Sequence, residues 1–174
     1  GRHRLAFDEL YFLQMSRAVL RARRQNLKAP RIITDISEAE KKFPQLTADQ
    51  KIAIAEILND MTKPYPMSRL LQGEVGSGKT LVAIAAAGEV AEARYQTMVL
   101  APTEVLARQH WQSFTSELAP TGFKVALLTR SQAALNDDDK IKKTVLKEAI
   151  AVGEAQIIIG TQALLEDSLE FKNL

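Results

Sequence analysis

Apolar positions fall into two kinds of run along the 174-residue chain. Short runs of strand length occur at Arg69-Leu70-Leu71-Gln72, Thr97-Met98-Val99-Leu100, Lys124-Val125-Ala126-Leu127-Leu128 and Gln156-Ile157-Ile158-Ile159. The last three are nearly continuous in apolar character rather than alternating, which suits strands covered on both faces. Between the runs lie longer stretches with helical spacing. Lys79 to Ala93 is alanine-rich with Leu81, Val82, Ile84 and Val90; Glu104 to Leu118 carries Leu106, Phe114 and Leu118; Asp137 to Val152 opens on three acids that suit a helix amino end. Strand and helix in alternation predict an α/β fold: a parallel sheet with helices on both faces, joined by right-handed crossovers.

Upstream the pattern differs. Leu5, Phe7, Leu10, Leu13, Val19, Leu20 and Leu27 mark one side of a long helix over residues 5–27, with Arg17, Arg21 and Arg24 at helical spacing on another. It has no strand partner nearby and reads as a connector that packs against something. Residues 28–44, with Pro30 and Pro44, predict a mostly irregular linker. A further helix is expected over Ala48–Met61, with Ile52, Ile54, Ala55, Ile57 and Leu58 as core candidates. Thr47 and Gln50 form its capping box, and Pro64 and Pro66 close it. The chain therefore divides into a connector helix and linker, 1–44, and an α/β domain, 45–174.

Composition changes this picture little. At 46% hydrophobic and 25% charged residues the chain is globular, and no apolar run reaches the length of a membrane span. The absence of cysteine excludes disulfides and thiolate metal sites and fits a reducing compartment. His3 and His110 lack ligand-like spacing. Charge is uneven: residues 1–31 hold eight Arg and Lys against Asp8 and Glu9, about +6, leaving about −4 for the rest of a chain whose net is +2. That arm fits a polyanion or an acidic neighbour, and equally a solvated helix face.

Candidate chemistry centres on Gly73-Glu74-Val75-Gly76-Ser77-Gly78-Lys79-Thr80, which fits the phosphate-loop pattern G-x-x-x-x-G-K-S/T. Its glycines let successive N–H groups curl around a di- or triphosphate. Lys79 brings a mobile charge to the β/γ-phosphates, Thr80 a hydroxyl for Mg²⁺, and the helix starting near Gly78 a positive dipole end. An apolar run precedes the loop and a helix follows it, the context the motif requires. The turns closing the strands, Ala101-Pro102-Thr103, Thr129-Arg130-Ser131 and Gly160-Thr161-Gln162, carry hydroxyl or glycine residues where α/β sheets bind ligands. Taken singly, each is better explained by helix capping; together they suggest a surface that grips a polyanion.

These stretches resemble the superfamily 2 helicases, with Gln50 at the Q motif, Gly73–Thr80 at motif I, Ala101-Pro102-Thr103-Glu104 at motif Ia and Gly160-Thr161 at motif Ib. The closer similarity is to the RecG family of bacterial branch-migrating DNA helicases. It is carried by residues 4–10, 66–80, 100–107 and 170–174, and is weakest over 28–44 and 132–148. The resemblance implies a RecA-like first motor domain and ATP and Mg²⁺ as cofactors. It implies Lys79 and Thr80 as the catalytic phosphate and magnesium residues, with Gln50 and Phe43 joining the loop in the nucleotide site. Gln50 would read the adenine edge, though its capping role accounts for it as well. Pro102, Thr103, Gly160 and Thr161 would hold a DNA backbone, and residues 5–27 would lead from a DNA-binding wedge domain. The parent protein would be an ATP-dependent helicase of the bacterial cytoplasm, remodelling branched or forked DNA in recombination and repair.

Two departures stand out: Arg130 where the family has glycine, and Gln162 where it has histidine. The family's Walker B carboxylates, D-E-x-H, would lie past Leu174, and a second motor domain would supply arginine fingers. The sheet is thus expected to be incomplete, with an open apolar edge, and the isolated chain inactive as an ATPase. The other readings are the motor of transcription-repair coupling factor, a non-helicase P-loop NTPase, and a non-catalytic ATP-binding module.

Overall fold

A computed structural model of the chain describes residues 2–34, 36–136, 138–165 and 169–174. The central sheet has four strands: β1 (Thr97–Leu100), β2 (Val125–Leu128), β3 (Ala133–Leu135) and β4 (Ile157–Gly160), in the order β1-β4-β2-β3. β4 runs parallel to both neighbours, pairing Ile157 with Thr97 on one side and Val125 on the other. β3 runs antiparallel to β2 and was not expected from the apolar pattern. Three residues with alanine at two positions are too short and weak a signal to read as a strand.

The pleat explains the apolar runs. Ile157, Ile159, Val125 and Leu127 bury into one cluster with helices α3 (Ala48–Met61), α4 (Lys79–Glu92) and α5 (Glu104–Leu118). Ile158, Ala126 and Leu128 turn the other way, against Leu146 and Ile150 of α6 (Lys143–Ala151). Every residue of β2 and β4 is buried, so neither strand alternates apolar with polar positions. Trp111 locks α5 to the sheet, its indole N–H donating to the Val125 carbonyl at 3.1 Å. The parallel sheet with helices on both faces stands as expected, and α3, β1 and α5 have the expected bounds.

Three local expectations fail for identifiable reasons, and the linker gains a short helix. Arg69–Gln72 is no strand: it pairs with no other strand, Leu70 is 84% exposed, and the Arg69 guanidinium is held by Asp60 at 2.6 Å and by Glu56. Apolar content sets only half the condition for a strand; the other half is a ladder partner. The helix expected from Asp137 begins at Lys143 instead. Asn136 takes a left-handed φ of 48°, and Leu135 and Asp138 exchange backbone hydrogen bonds that close a turn. Asp137 lies outside the described residues. The linker is not wholly irregular: α2 (Ile36–Lys42) packs Ala39 into the core, with Phe43 and Leu46 behind it. Ile32 and Ala29 donate backbone bonds to Met61 and Pro64, which straps this segment across the end of α3. Finally, Ile52 of α3 is 59% exposed, while Ile54, Ile57 and Leu58 are buried.

The long α1 spans Arg2–Gln25. Its apolar residues Phe7, Leu10, Leu13, Val19 and Leu20 are exposed, as are Arg17, Arg21 and Arg24. The strand order leaves β1 at an edge, with Leu100 partly exposed. No helix among the described residues is long and apolar enough to cross a membrane.

Candidate nucleotide site and strand-end surface

The phosphate loop leaves Leu71 and enters α4 at Lys79. Gly76 and Gly78 adopt φ of +84° and +76°, left-handed values that L side chains rarely take. Gly78 is the residue before α4, and no side chain caps the helix there, so its first N–H groups stay available to an anion. The Lys79 ammonium reaches back over the loop, donating to the carbonyls of Gly73 and Glu74 at 2.8 and 2.7 Å, with the Ser77 hydroxyl at 3.5 Å. The cation is thus centred where a phosphate would meet the loop. Thr80, half-buried on the first turn of α4, is the hydroxyl beside it. Left-handed glycines, an uncapped helix start and a converging cation are the donor set a nucleotide phosphate requires.

Gln50 belongs to this site in a way that spacing could not reveal. Its Oε1 accepts the Thr47 N–H at 2.9 Å and its backbone N–H donates to the Thr47 hydroxyl at 3.3 Å, completing the capping box. Its Nε2 then donates to the Ser77 carbonyl at 3.0 Å. One side chain therefore caps α3 and ties that helix to the phosphate loop. A Cβ on Gly78 would lie 2.3 Å from this amide nitrogen and would displace the Gln50 side chain. Phe43, placed at the nucleotide by resemblance, is 1% exposed and packs in the core cluster that also holds Ala39, Leu46 and Ile54.

At the strand ends, Pro102 and Thr103 are exposed, and the Thr103 hydroxyl caps α5 by accepting the Leu106 N–H at 3.2 Å. Thr129 is buried, its hydroxyl accepting the Gln132 N–H at 3.0 Å. Ser131 is exposed and donates its N–H to Glu104 Oε1 at 3.1 Å and its hydroxyl to Glu104 Oε2. The Ser131 hydroxyl, followed among the bonding groups by the Ser131 N–H, the Thr129 hydroxyl and the Arg130 N–H, holds the Glu104 carboxyl below its ordinary value, against a smaller opposing effect of burial. The Arg130 carbonyl accepts from Lys143.

Gly160 is buried, its carbonyl accepts the Ala101 N–H at 2.8 Å, and an added Cβ would lie 2.0 Å from the Leu128 carbonyl oxygen. Glycine is required there by the close packing of β4 against β2. Thr161 is half-buried and its carbonyl accepts the Leu164 N–H at 3.0 Å. Gln162 is exposed on the short turn that follows. The structure thus groups the loop with Gln50, and Pro102–Thr103 with the Ser131 turn, while Phe43 and Gly160 are buried. A cleft of about 620 Å³ opens elsewhere, between Tyr95, Gln96, Phe123 and Lys172, and contains none of these residues.

The family model for DEAD/DEAH box helicases matches residues 47–174. ATP-dependent DNA helicase RecG of Aquifex aeolicus is 41% identical over 175 residues, covering 98% of this chain and 21% of that protein. RecG of Treponema pallidum is 36% identical over 191 residues, covering all of this chain and 27% of its relative. A structure of RecG bound to a three-way DNA junction matches with a TM-score of 0.85 at 36% identity, covering 99% of this chain and 24% of that one. The chain thus spans between 21% and 27% of the length of these relatives. The phosphate loop and its helix fall inside the matched region, and the chain belongs to the DEAD/DEAH box helicase family, with its similarity running to RecG over nearly its whole length.

Proposed function

We propose that this chain is the phosphate-binding part of an ATP-driven DNA motor that remodels branched DNA. The observation that carries the proposal is the loop itself: the Lys79 ammonium 2.7–2.8 Å from the Gly73 and Glu74 carbonyls, at the uncapped start of α4. Its similarity to helicases named ATP-dependent, one of them bound to a DNA junction, supports ATP as the nucleotide and branched DNA as the partner. Gly73–Gly78 would cradle the phosphates and Lys79 neutralise their charge. Thr80 would supply a ligand to Mg²⁺, which would shield the β- and γ-oxygens when bound. Gln50 would hold the loop in register and present its remaining amide N–H to the base. Pro102, Thr103 and Thr161 would meet the DNA backbone. A DNA substrate and bacterial relatives support the bacterial cytoplasm as the place of action.

ATP hydrolysis depends on carboxylates that hold the metal and orient water, and on arginine from across a cleft. No Asp-Glu-x-His occurs in these 174 residues. The chain alone is therefore assigned binding without appreciable turnover. Titration calorimetry with Mg-ATP and Mg-ADP tests the first half: both bind, and Lys79→Ala weakens binding at least about tenfold through loss of a charge-assisted contact. A phosphate-release assay tests the second half, and turnover comparable to a complete motor overturns it.

A further inference from the structure

Glu104 is an acid on a surface that the proposed function turns towards a polyanion, and the grip does not explain it. Two donors of the 129–131 turn that suit a phosphate oxygen, the N–H and hydroxyl of the exposed Ser131, are both given to the Glu104 carboxylate. This arrangement is more than a helix start: the donors come from the turn after β2, and the acceptor comes from α5. A carboxylate held on two oxygens makes the same demand on these donors as two non-bridging phosphate oxygens. On its other side Glu104 borders a cleft of about 320 Å³ lined also by Val105, Arg108, Gln109, Gln112 and Gln132. Arg108 is steered by the Gln132 amide oxygen at 3.2 Å and by Asp139 at 3.8 Å. Guanidinium and amide groups are what sugar and phosphate oxygens bond to in nucleic-acid complexes.

We propose that Glu104 is a resident anion occupying the Thr129-Arg130-Ser131 turn, and that a nucleic-acid backbone must take the turn from it, so that this carboxylate sets the affinity of the surface. The inference rests on the DNA-binding reading above. The competing account makes Glu104 a brace that merely orders the turn. Glu104→Gln separates the two, because the amide keeps an oxygen for a Ser131 donor while losing the charge. Removing a like charge beside a bound phosphate raises affinity by roughly three- to tenfold after solvent and salt screening; removing a brace lowers it.

Two readouts decide the matter, after thermal melts show that the variant is folded. In the first, a fluorescent single-stranded DNA oligonucleotide is titrated with wild-type and E104Q chains. In the second, inorganic phosphate is titrated while the Ser131 amide is followed by NMR. Tighter DNA binding by E104Q, with a Ser131 amide that responds to lower phosphate concentrations, supports the resident anion. Unchanged or weaker DNA binding by E104Q, with the wild type still binding, overturns it and leaves the DNA reading intact. If neither chain binds DNA but phosphate reaches Ser131 more readily in E104Q, the DNA reading fails while the anion role stands. A Ser131 amide that phosphate does not move in E104Q overturns the anion role outright.

Discussion

At Gln50 a single side chain meets two demands, and a single substitution separates them. Glu at this position keeps the acceptor for the Thr47 N–H, since the capping box accepts Glu or Gln alike. It loses the donor to the Ser77 carbonyl and sets a carboxylate against that oxygen. Gln50→Glu is therefore expected to leave the melting temperature nearly unchanged and to weaken Mg-ATP binding in calorimetry; equal affinity would mean the loop tie has no bearing on the nucleotide. Two other carboxyls respond to protons. Asp60, bonded by Lys63 and then Arg69, and Glu104, bonded chiefly by the Ser131 hydroxyl, are both held below their ordinary values of 3.8 and 4.5. A lowered carboxyl contributes stability that is complete above its ordinary value and is lost as pH falls through the folded one. Urea melts from pH 6 downward should show stability dropping below about pH 4. The double variant Asp60→Asn, Glu104→Gln should flatten that drop.

Among the elements, the segment before the nucleotide domain departs most from what its residues suggest alone. Its prolines and polar middle read as a linker, yet Ala39, Phe43 and Leu46 complete the core over α3 and α4. Lys42 adds an ion pair with the buried Glu89 of α4 at 3.1 Å. Seven helical residues are too few for a periodic signal, and burial of Phe43 is a tertiary fact that no local pattern carries. The same limit explains Arg69–Gln72, whose apolar run lacks a ladder partner. By contrast α3 was legible to the residue, because Thr47 and Gln50 state its beginning in their own chemistry and Pro64 follows its end. Resemblance placed Phe43 at the nucleotide, and stability against affinity distinguishes the two roles. Phe43→Ala is expected to cost about 3–5 kcal/mol in urea unfolding, the usual penalty for emptying a buried aromatic site. Mg-ATP affinity of the folded fraction should change little. A variant of normal stability with poor ATP binding would instead place Phe43 at the ligand.

For the molecule as a whole, the strand–helix alternation was enough to draw the three parallel strands and their two covered faces, though it missed β3 and placed a strand at Arg69–Gln72 that does not form. The alternation could not show which strand-end residues turn outward, since that depends on neighbours distant in sequence. Gly160 decides the matter for the last turn: it faces the Leu128 carbonyl rather than solvent. Gly160→Ala should thus act on stability, with a penalty of about 1–3 kcal/mol or more from forced backbone displacement. On the proposed reading the grip would fall to the exposed Thr103 and Ser131 and the half-buried Thr161, helped by cations such as Arg108, Arg130 and Lys143. Contacts of this kind go to phosphates and sugars, so the binding should depend on salt and hardly on base sequence. With three or four phosphates engaged on a single strand, the logarithm of affinity should fall against the logarithm of salt with a slope of roughly −2 to −3. Anisotropy titrations across a salt series, with two oligonucleotides of unrelated sequence, measure both properties. A slope near zero, or strong preference for one sequence, would mean that the strand-end surface is not the one that holds DNA.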